Sequence, residues 1–492
     1  MKTNIFSKTF SYIMPRTHDM LFIILFFSAL AGGSMMLNAD GDLPRHLLMG
    51  KYVLEGNSPP TTETFAYPYA GREYVPHEWG TGVIFYLLFQ VFDLNGVIFL
   101  AGLLIGGTFL LIFWKAVKSN NESLLTFVLV LLGAAVTSIH WIIRPHLFSM
   151  LFIAIWLILL DDLYRNKHKR LWIFPVLMLL WANIHAEHIA GFLVLGAYLA
   201  DSLWLFLSTR AAESFSKIKI VLIVLLLSFA CSLINPSGIQ AWTTVAGYIN
   251  NSYLMSRINE TRPPNFIELR FLPLLILYVV SLAILISRRK NFRLADFLLI
   301  VGFGLMNAVS ARNAHLFGVV APLVLARGLR NIQVSQAFKN VGQMVAKLES
   351  FGKGTAVPIL SAILLGIFLL AGPLKSDNRF DPDYFPIQAV QWLEKNPQNG
   401  HMFNHFNWGG YILFRLWPSQ KVFIESQTDT HGDLTKSYET VKELDTGWGN
   451  IFKTYDIQWV IIPPGWELTD ELKKQNWDML YQDDTAIILR RP

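Results

Sequence analysis

The sequence is poor in charge and nearly free of cysteine. Cys231 stands alone inside an apolar run, so no disulfide forms within one chain and no cysteine-rich metal site exists. It reads as a small buried residue. Charged residues make up 15% of the 492, against roughly a quarter in ordinary soluble domains. Internal repeats and low-complexity runs are absent, and no secretory signal peptide is convincing. The first apolar run leads straight into an acidic motif and reads as an uncleaved span.

What fills the space is hydrophobic, 53% of the chain. Apolar runs of about 18 residues or more can cross a bilayer as helices, because a helix satisfies its own backbone there. Eleven spans are expected, near 20–37, 94–114, 122–140, 145–162, 171–188, 190–207, 218–234, 271–287, 294–310, 314–329 and 355–373. Residues 80–92 are apolar but short, and are expected at or dipping into the interface.

The net charge of +6 could point to nucleic acid, but the distribution of the charge argues against that partner. With the N-terminus inside, the inner segments hold about half of the 41 basic residues, among them Lys2, Lys8, Arg165, Lys167, Lys169 and Arg327. Outer loops of the bundle hold only Arg45, Lys51, Arg72, Arg144, Arg257, Arg262, Arg270 and Arg312. An excess of Lys and Arg in short loops marks the cytoplasmic side. This orientation places the long loop 38–93 and every polar cluster discussed below on the outer side. The expected organisation is a transmembrane part, 1–375, and an extracytoplasmic α/β domain, 376–492, which holds nearly half of the 35 acidic residues. In that domain helices are expected at 385–395, 408–416, 433–445 and 468–474, and strands at 421–425, 457–462 and 485–490.

The outer loop carries the chemistry. Asp40-Gly-Asp42 follows the first span; Asp42 can cap a helix and shares a face with His46, four residues on. A cap accounts for one aspartate and leaves the second and the histidine over, and carboxylates beside a bilayer are costly unless they have a function. His77-Glu78-Trp79 opens the interfacial helix, with Trp79 suited to anchor it. Arg144-Pro145-His146 and Arg312-Asn313-Ala314-His315 lie at outer span ends, where a guanidinium fork suits a phosphate. His185-Ala186-Glu187-His188 puts two histidines on one helix end; this is not a zinc-protease pattern, though Asp40, Asp42 and these groups could hold a divalent cation such as Mg or Mn. Asp201 lies mid-span, as a proton site of a transporter would, and Asn235-Pro-Ser-Gly reads first as a turn.

With these residues the chain resembles the GT-C glycosyltransferases, polytopic membrane enzymes that transfer a sugar from a polyprenyl-phosphate carrier on the outer face. The likeness is to bacterial members with Asp40-Gly-Asp42…His46, Gly71-Arg72…His77-Glu78-Trp79, Arg144-Pro-His146, Trp181-Ala-Asn-Ile-His185, Asn235-Pro-Ser-Gly238, Arg312-Asn313 and, in the tail, Asn407-Trp408-Gly-Gly-Tyr411 with Val422-Phe-Ile-Glu425. The resemblance implies a bacterial plasma-membrane enzyme with its site and C-terminal domain extracytoplasmic. Its partners would be a polyprenyl-phosphate-linked sugar, membrane lipids, and a glycan, lipid or protein hydroxyl as acceptor.

In roles implied by that resemblance, Asp42 or Asp40 acts on the acceptor, with His46 orienting. Arg144 and Arg312 bind the carrier phosphate, and His146, His77, Glu78, His185, His188 and Asn235 line the site. The Trp-Trp-Asp motif of oligosaccharyltransferases and the Asp-Glu pattern of protein O-mannosyltransferases are missing, which leaves the acceptor open. A transporter or flippase of lipid-linked sugars is the competing reading.

Overall fold

The computed structural model describes residues 11–120, 122–164, 170–257, 259–330, 332, 335–372, 377–427 and 432–492. The basic residues Lys2, Lys8, Arg165, Lys167 and Lys169 lie outside these. Each of the eleven apolar runs is helical, and the chain is a polytopic helical membrane protein with a C-terminal α/β region. The bundle comprises α1 (Thr17–Ala31), α2 (Asp42–Leu54), α3 (Trp79–Phe92), α4 (Leu94–Asn120), α5 (Ser123–Thr137), α6 (His146–Tyr164), α7 (Ile173–Ile184), α8 (Ile189–Thr209), α9 (Ala212–Ser232), α10 (Gln240–Asn250), α11 (Leu272–Ser287), α12 (Leu294–Val309), α13 (Ala314–Gly328), α14 (Gln336–Phe351) and α15 (Val357–Ala371). Among the described residues, six helices are long and apolar enough to cross a membrane by themselves, and five shorter ones are apolar.

The central helix is α13, in which every residue except Arg327 is buried. It is surrounded by protein and so needs no lipid-facing stripe. Its approach to α5 is glycine on glycine: a Cβ on Gly318 would lie 2.7 Å from the Gly133 carbonyl, and one on Gly133 would collide with the Gly318 carbonyl. At one end of the bundle Lys115 meets Asp161 and Asp162 at 2.8 Å, and Arg327 meets Asp161 at 3.0 Å and also pairs with Asp296. Buried charges are tolerated there because they are paired, and the pairing ties α4, α6, α12 and α13 together. Asp201 belongs to this end, with Oδ1 3.4 Å from the Ala295 amide.

The tail contains α16 (Ile387–Lys395), α17 (Gly409–Leu416), α18 (Gly432–Lys442), α19 (Trp448–Thr454) and α20 (Glu467–Lys474), with strands β1 (His401–Asn404), β2 (Ile457–Ile462), β3 (Asp478–Gln482) and β4 (Ile487–Arg490). Sheet order is β1-β2-β4-β3, with β1 parallel to β2 and the other pairs antiparallel. The expected strand at 421–425 is not one. That segment makes a lone bridge, Ala66 to Val422, and is otherwise held by the Asn404 side chain. The Asn404 amide accepts from Phe423 N at 2.9 Å and donates to the Ile424 carbonyl at 2.8 Å, taking the place of a neighbouring strand.

The tail is built onto the bundle. One apolar core runs from Leu47 and Phe85 through Tyr411 and Leu413 to Trp459, while a second, with Phe403, Val460, Leu468 and Leu489 of the tail, also takes in Tyr69 of the long outer loop. At the junction the Asn-Trp-Gly-Gly-Tyr segment sits directly on Asp40-Gly41-Asp42. A Cβ on Gly410 would stand 2.9 Å from the Gly41 carbonyl, and one on Gly41 would strike the Asn407 carbonyl. The glycines let two backbones touch.

Candidate active site

At the end of the bundle opposite the Lys115–Asp161 network, loops from five distant parts of the chain enclose a cleft. It is lined by Asp42, Glu78, His140, Ile142, Arg144, Pro145, His146, His185, Glu187, Glu260, Arg312 and His315. Its empty space is about 370 Å³, counted out to the open mouth.

One wall is acidic and begins at the exit of the first span. Gly41, and not Asp42, stands at the N-cap of α2, and Asp40 closes the turn before it: its Oδ1 accepts from Asp42 N at 2.9 Å. With the backbone amide satisfied by Asp40, the Asp42 carboxylate is available to the cleft. Arg144, in the turn between α5 and α6, places its Nε 2.7 Å from Asp40 Oδ2 and 2.9 Å from Asp42 Oδ2. Its Nη1 lies 3.4 Å from Glu260 Oε2. Three carboxylates share one guanidinium.

That crowding separates the two aspartates. Burial pushes Asp40 up to about 6, aided by the neighbouring charges of Asp42 and Glu260 and opposed by Arg144. Burial pushes Asp42 the same way but is outweighed by Arg144, Arg45 and His46, so its carboxyl lies below the usual range. Glu260 is likewise held low, Arg144 and Arg312 overcoming the burial.

The second wall is histidine-rich. His140 Nε2 donates to the Ala311 carbonyl at 2.8 Å, and His146 Nε2 to the His140 carbonyl at 2.7 Å. His315 has acceptors on both sides: the Arg312 carbonyl at 2.8 Å from Nδ1 and Glu187 Oε2 at 2.9 Å from Nε2. His185 joins the walls, its Nδ1 3.3 Å from Glu187 and its Nε2 3.6 Å from Glu78. Behind Glu78, Arg45 Nη2 contacts Glu78 Oε2 at 2.7 Å while Arg45 Nη1 donates to Gln427 of the tail at 2.8 Å. Burial opposes ionisation of Glu78, yet His77, His46, Arg45 and His185 together hold its carboxyl well below the ordinary range.

The structure therefore brings Asp42, Glu78, Arg144, His146, His185 and Arg312 to one cleft, with Asp40 beside it. Others stand apart. His46 is buried behind Glu78, 3.8 Å away, and burial together with Arg45 pushes it down to about 3. His77 borders a separate small recess with Arg45, Pro76 and Trp79. His188 packs against Trp242, and its Nδ1 lies 3.3 Å from the His185 carbonyl, behind the cleft wall. Asn235 closes its own turn, bonding Ser232, Ser237 and Gly238. Trp79 donates to Asn183 at 2.9 Å, tying α3 to α7 in addition to any interfacial role.

Sequence reasoning missed Glu260 and His140 as lining residues. Glu260 had only its place in an outer loop to mark it, and reaches the site because the Glu260 and Arg262 carbonyls bond Ser310 and Ala311 at the start of the Arg312 turn. Among the described residues no three His, Cys, Asp or Glu side chains converge in an arrangement that would hold a metal ion. Arg144 takes up the space between the two aspartates where a cation would sit.

No protein-family model matches the chain, and no curated protein sequence matches it. Among solved structures it is similar to the oligosaccharyltransferase AglB of the archaeon Archaeoglobus fulgidus, in complex with an inhibitory peptide and a dolichol-phosphate. The superposition has a TM-score of 0.57 and covers 95% of this chain and 74% of that one, at 11% identity. A likeness at that identity carries the fold, which is of the GT-C type.

Proposed function

We propose that the chain is a membrane glycosyltransferase that moves a sugar from a polyprenyl-phosphate carrier to a hydroxyl acceptor, with inversion, at this cleft. The observation that supports it most is the meeting of Asp40 and Asp42, from just after α1, with Arg144, Arg312 and the histidines from distant turns. A scaffold has no need of such a convergence. The excess of basic residues in the inner segments supports an orientation with the cleft and the tail on the outer face of the membrane.

In this reading the carrier phosphate lies against Arg312, His315 and His146. Asp42 takes the proton of the acceptor hydroxyl as the oxygen attacks the anomeric carbon, and the bond to the phosphate oxygen breaks on the far side. General-base help contributes about 100- to 10,000-fold. Charge grows on the leaving phosphate, so cations beside it stabilise the transition state more than the ground state. Arg144 is held by carboxylates; as the phosphate arrives and shares that guanidinium, the Asp42 carboxylate loses part of its partner and becomes a stronger base. Asp40 keeps Arg144 in place and keeps the turn closed. The tail, seated on Gly41 next to the cleft, helps grip the acceptor in this reading.

Mg²⁺ or Mn²⁺ takes hard oxygen donors such as Asp40, Asp42 and Glu260. These residues would receive such an ion only with Arg144 displaced, so each step above is assigned to the protein's own side chains.

The test uses the purified protein in nanodiscs, loaded with polyprenyl-phosphate sugars and an extract of envelope glycans, with release of polyprenyl phosphate measured. Asp42→Asn is expected to bind the donor and lose release. Arg312→Lys, which keeps the charge and loses the fork, is expected to raise the KM for donor more than it lowers kcat. Donor flipping without release by the unaltered protein would overturn the enzyme in favour of a carrier.

A further inference from the structure

We infer that α14, Gln336–Phe351, is an in-plane membrane helix that binds anionic lipid headgroups at the bundle end opposite the cleft. It joins the far ends of α13 and α15, and no residue in it is buried. Apolar residues recur at helical spacing: Ala337, Phe338, Val341, Met344, Val345, Leu348 and Phe351 share one face. Val341, Met344, Leu348 and Phe351 are 51%, 66%, 46% and 58% exposed, a continuous apolar stripe that water would not leave uncovered on a stable helix.

What covers it follows from its place and its charge. The end of the helix is fastened to the start of α1: Glu349 accepts from Thr17 N at 2.8 Å and from the Thr17 hydroxyl, Arg16 Nη2 donates to the Gly352 carbonyl at 2.7 Å, and Lys353 N donates to the Ser11 carbonyl at 2.8 Å. Tied at the mouth of a membrane helix and flanked by two more, α14 lies where the bilayer surface must be. Its one carboxylate, Glu349, is turned inward onto Thr17. Lys339 and Lys347 are left exposed on its outward side, beside exposed Arg330 and Lys353. An apolar stripe bordered by lysines fits the headgroup boundary of an anionic leaflet, where each cation near the surface adds about 1 kcal/mol.

The experiment places a nitroxide label at Val341→Cys or Gln343→Cys, on opposite faces, in a Cys231→Ser background, with the full chain in nanodiscs. Collision with oxygen, which partitions into lipid, is compared with collision with a water-soluble nickel chelate. The oxygen-to-nickel ratio at position 341 is expected to be several-fold above that at 343, and higher in discs containing phosphatidylglycerol than in phosphatidylcholine alone. Lys339→Glu with Lys347→Glu is expected to remove that dependence on composition. Equal ratios at the two positions would put the helix in water, and protection of 341 from both reagents would mean a protein, or a second copy, covers the stripe; either overturns the inference. Immersion that ignores phosphatidylglycerol would overturn the anionic preference. None of these readouts depends on transferase activity.

Discussion

Asp40 and Asp42 are two residues apart and chemically identical, yet the same substitution should change stability in opposite directions. Asp40→Asn keeps an oxygen to accept the Asp42 amide and removes a charge that its surroundings disfavour. Its side chain is only 21% exposed, so solvent screening leaves most of the effect in place. A rise from the ordinary 3.8 to about 6, at ~1.4 kcal/mol per tenfold, means that ionised Asp40 costs the fold about 3 kcal/mol. The sign follows: the cost is full above about pH 6, shrinks as pH falls, and vanishes below the ordinary carboxylate value. Asp42 is the reverse, since its carboxyl is held low by Arg144 and Arg45. Its ionised form stabilises the fold above the ordinary carboxylate value, and that contribution is lost on acidification. Thermal unfolding in detergent at pH 7.5 should therefore find Asp40→Asn a few degrees more stable and Asp42→Asn less stable than the parent. At pH 4 the two curves should draw together. Asp42→Asn should also lose about 100- to 10,000-fold in transfer, as a base does. If both variants shift in one direction at pH 7.5, or the shifts persist unchanged at pH 4, the electrostatic account of this pair is wrong.

Glu260→Gln should lower the pH at which Asp40 titrates, because Glu260 is among the charges that raise it; the pH dependence of the unfolding midpoint reads this directly. Gly410→Ala should destabilise by about 1–3 kcal/mol through crowding at the Gly41 carbonyl and the Arg45 backbone, and should expose the tail junction to limited proteolysis before the bundle unfolds. Wild-type proteolysis behaviour in that variant would mean that the tail does not depend on this contact.

The apolar runs were enough to place the spanning helices of the bundle, because burial in lipid leaves a chain segment few alternatives to helix. Charge asymmetry between loops then gathered Asp42, Arg144, His185 and Arg312 on one side, and the structure brings them to one cleft. Which aspartate closes the turn and which faces the cleft could not be read from Asp-Gly-Asp, since both arrangements satisfy the same three residues locally. Nor could the sequence reveal that 421–425 is held by the Asn404 side chain instead of a ladder: β propensity reports a fit to an extended, half-buried surface and says nothing of the partner. Glu260 joined the site through its carbonyl, which accepts from the Ser310 hydroxyl some 50 residues further along. The inward turn of Glu349, which leaves α14 cationic on its outer side, likewise depends on contact with α1, more than 300 residues earlier in the chain. Composition and periodicity determine which segments leave water. Contacts between distant segments decide which charges share a counterion, and that is a property of the folded arrangement alone.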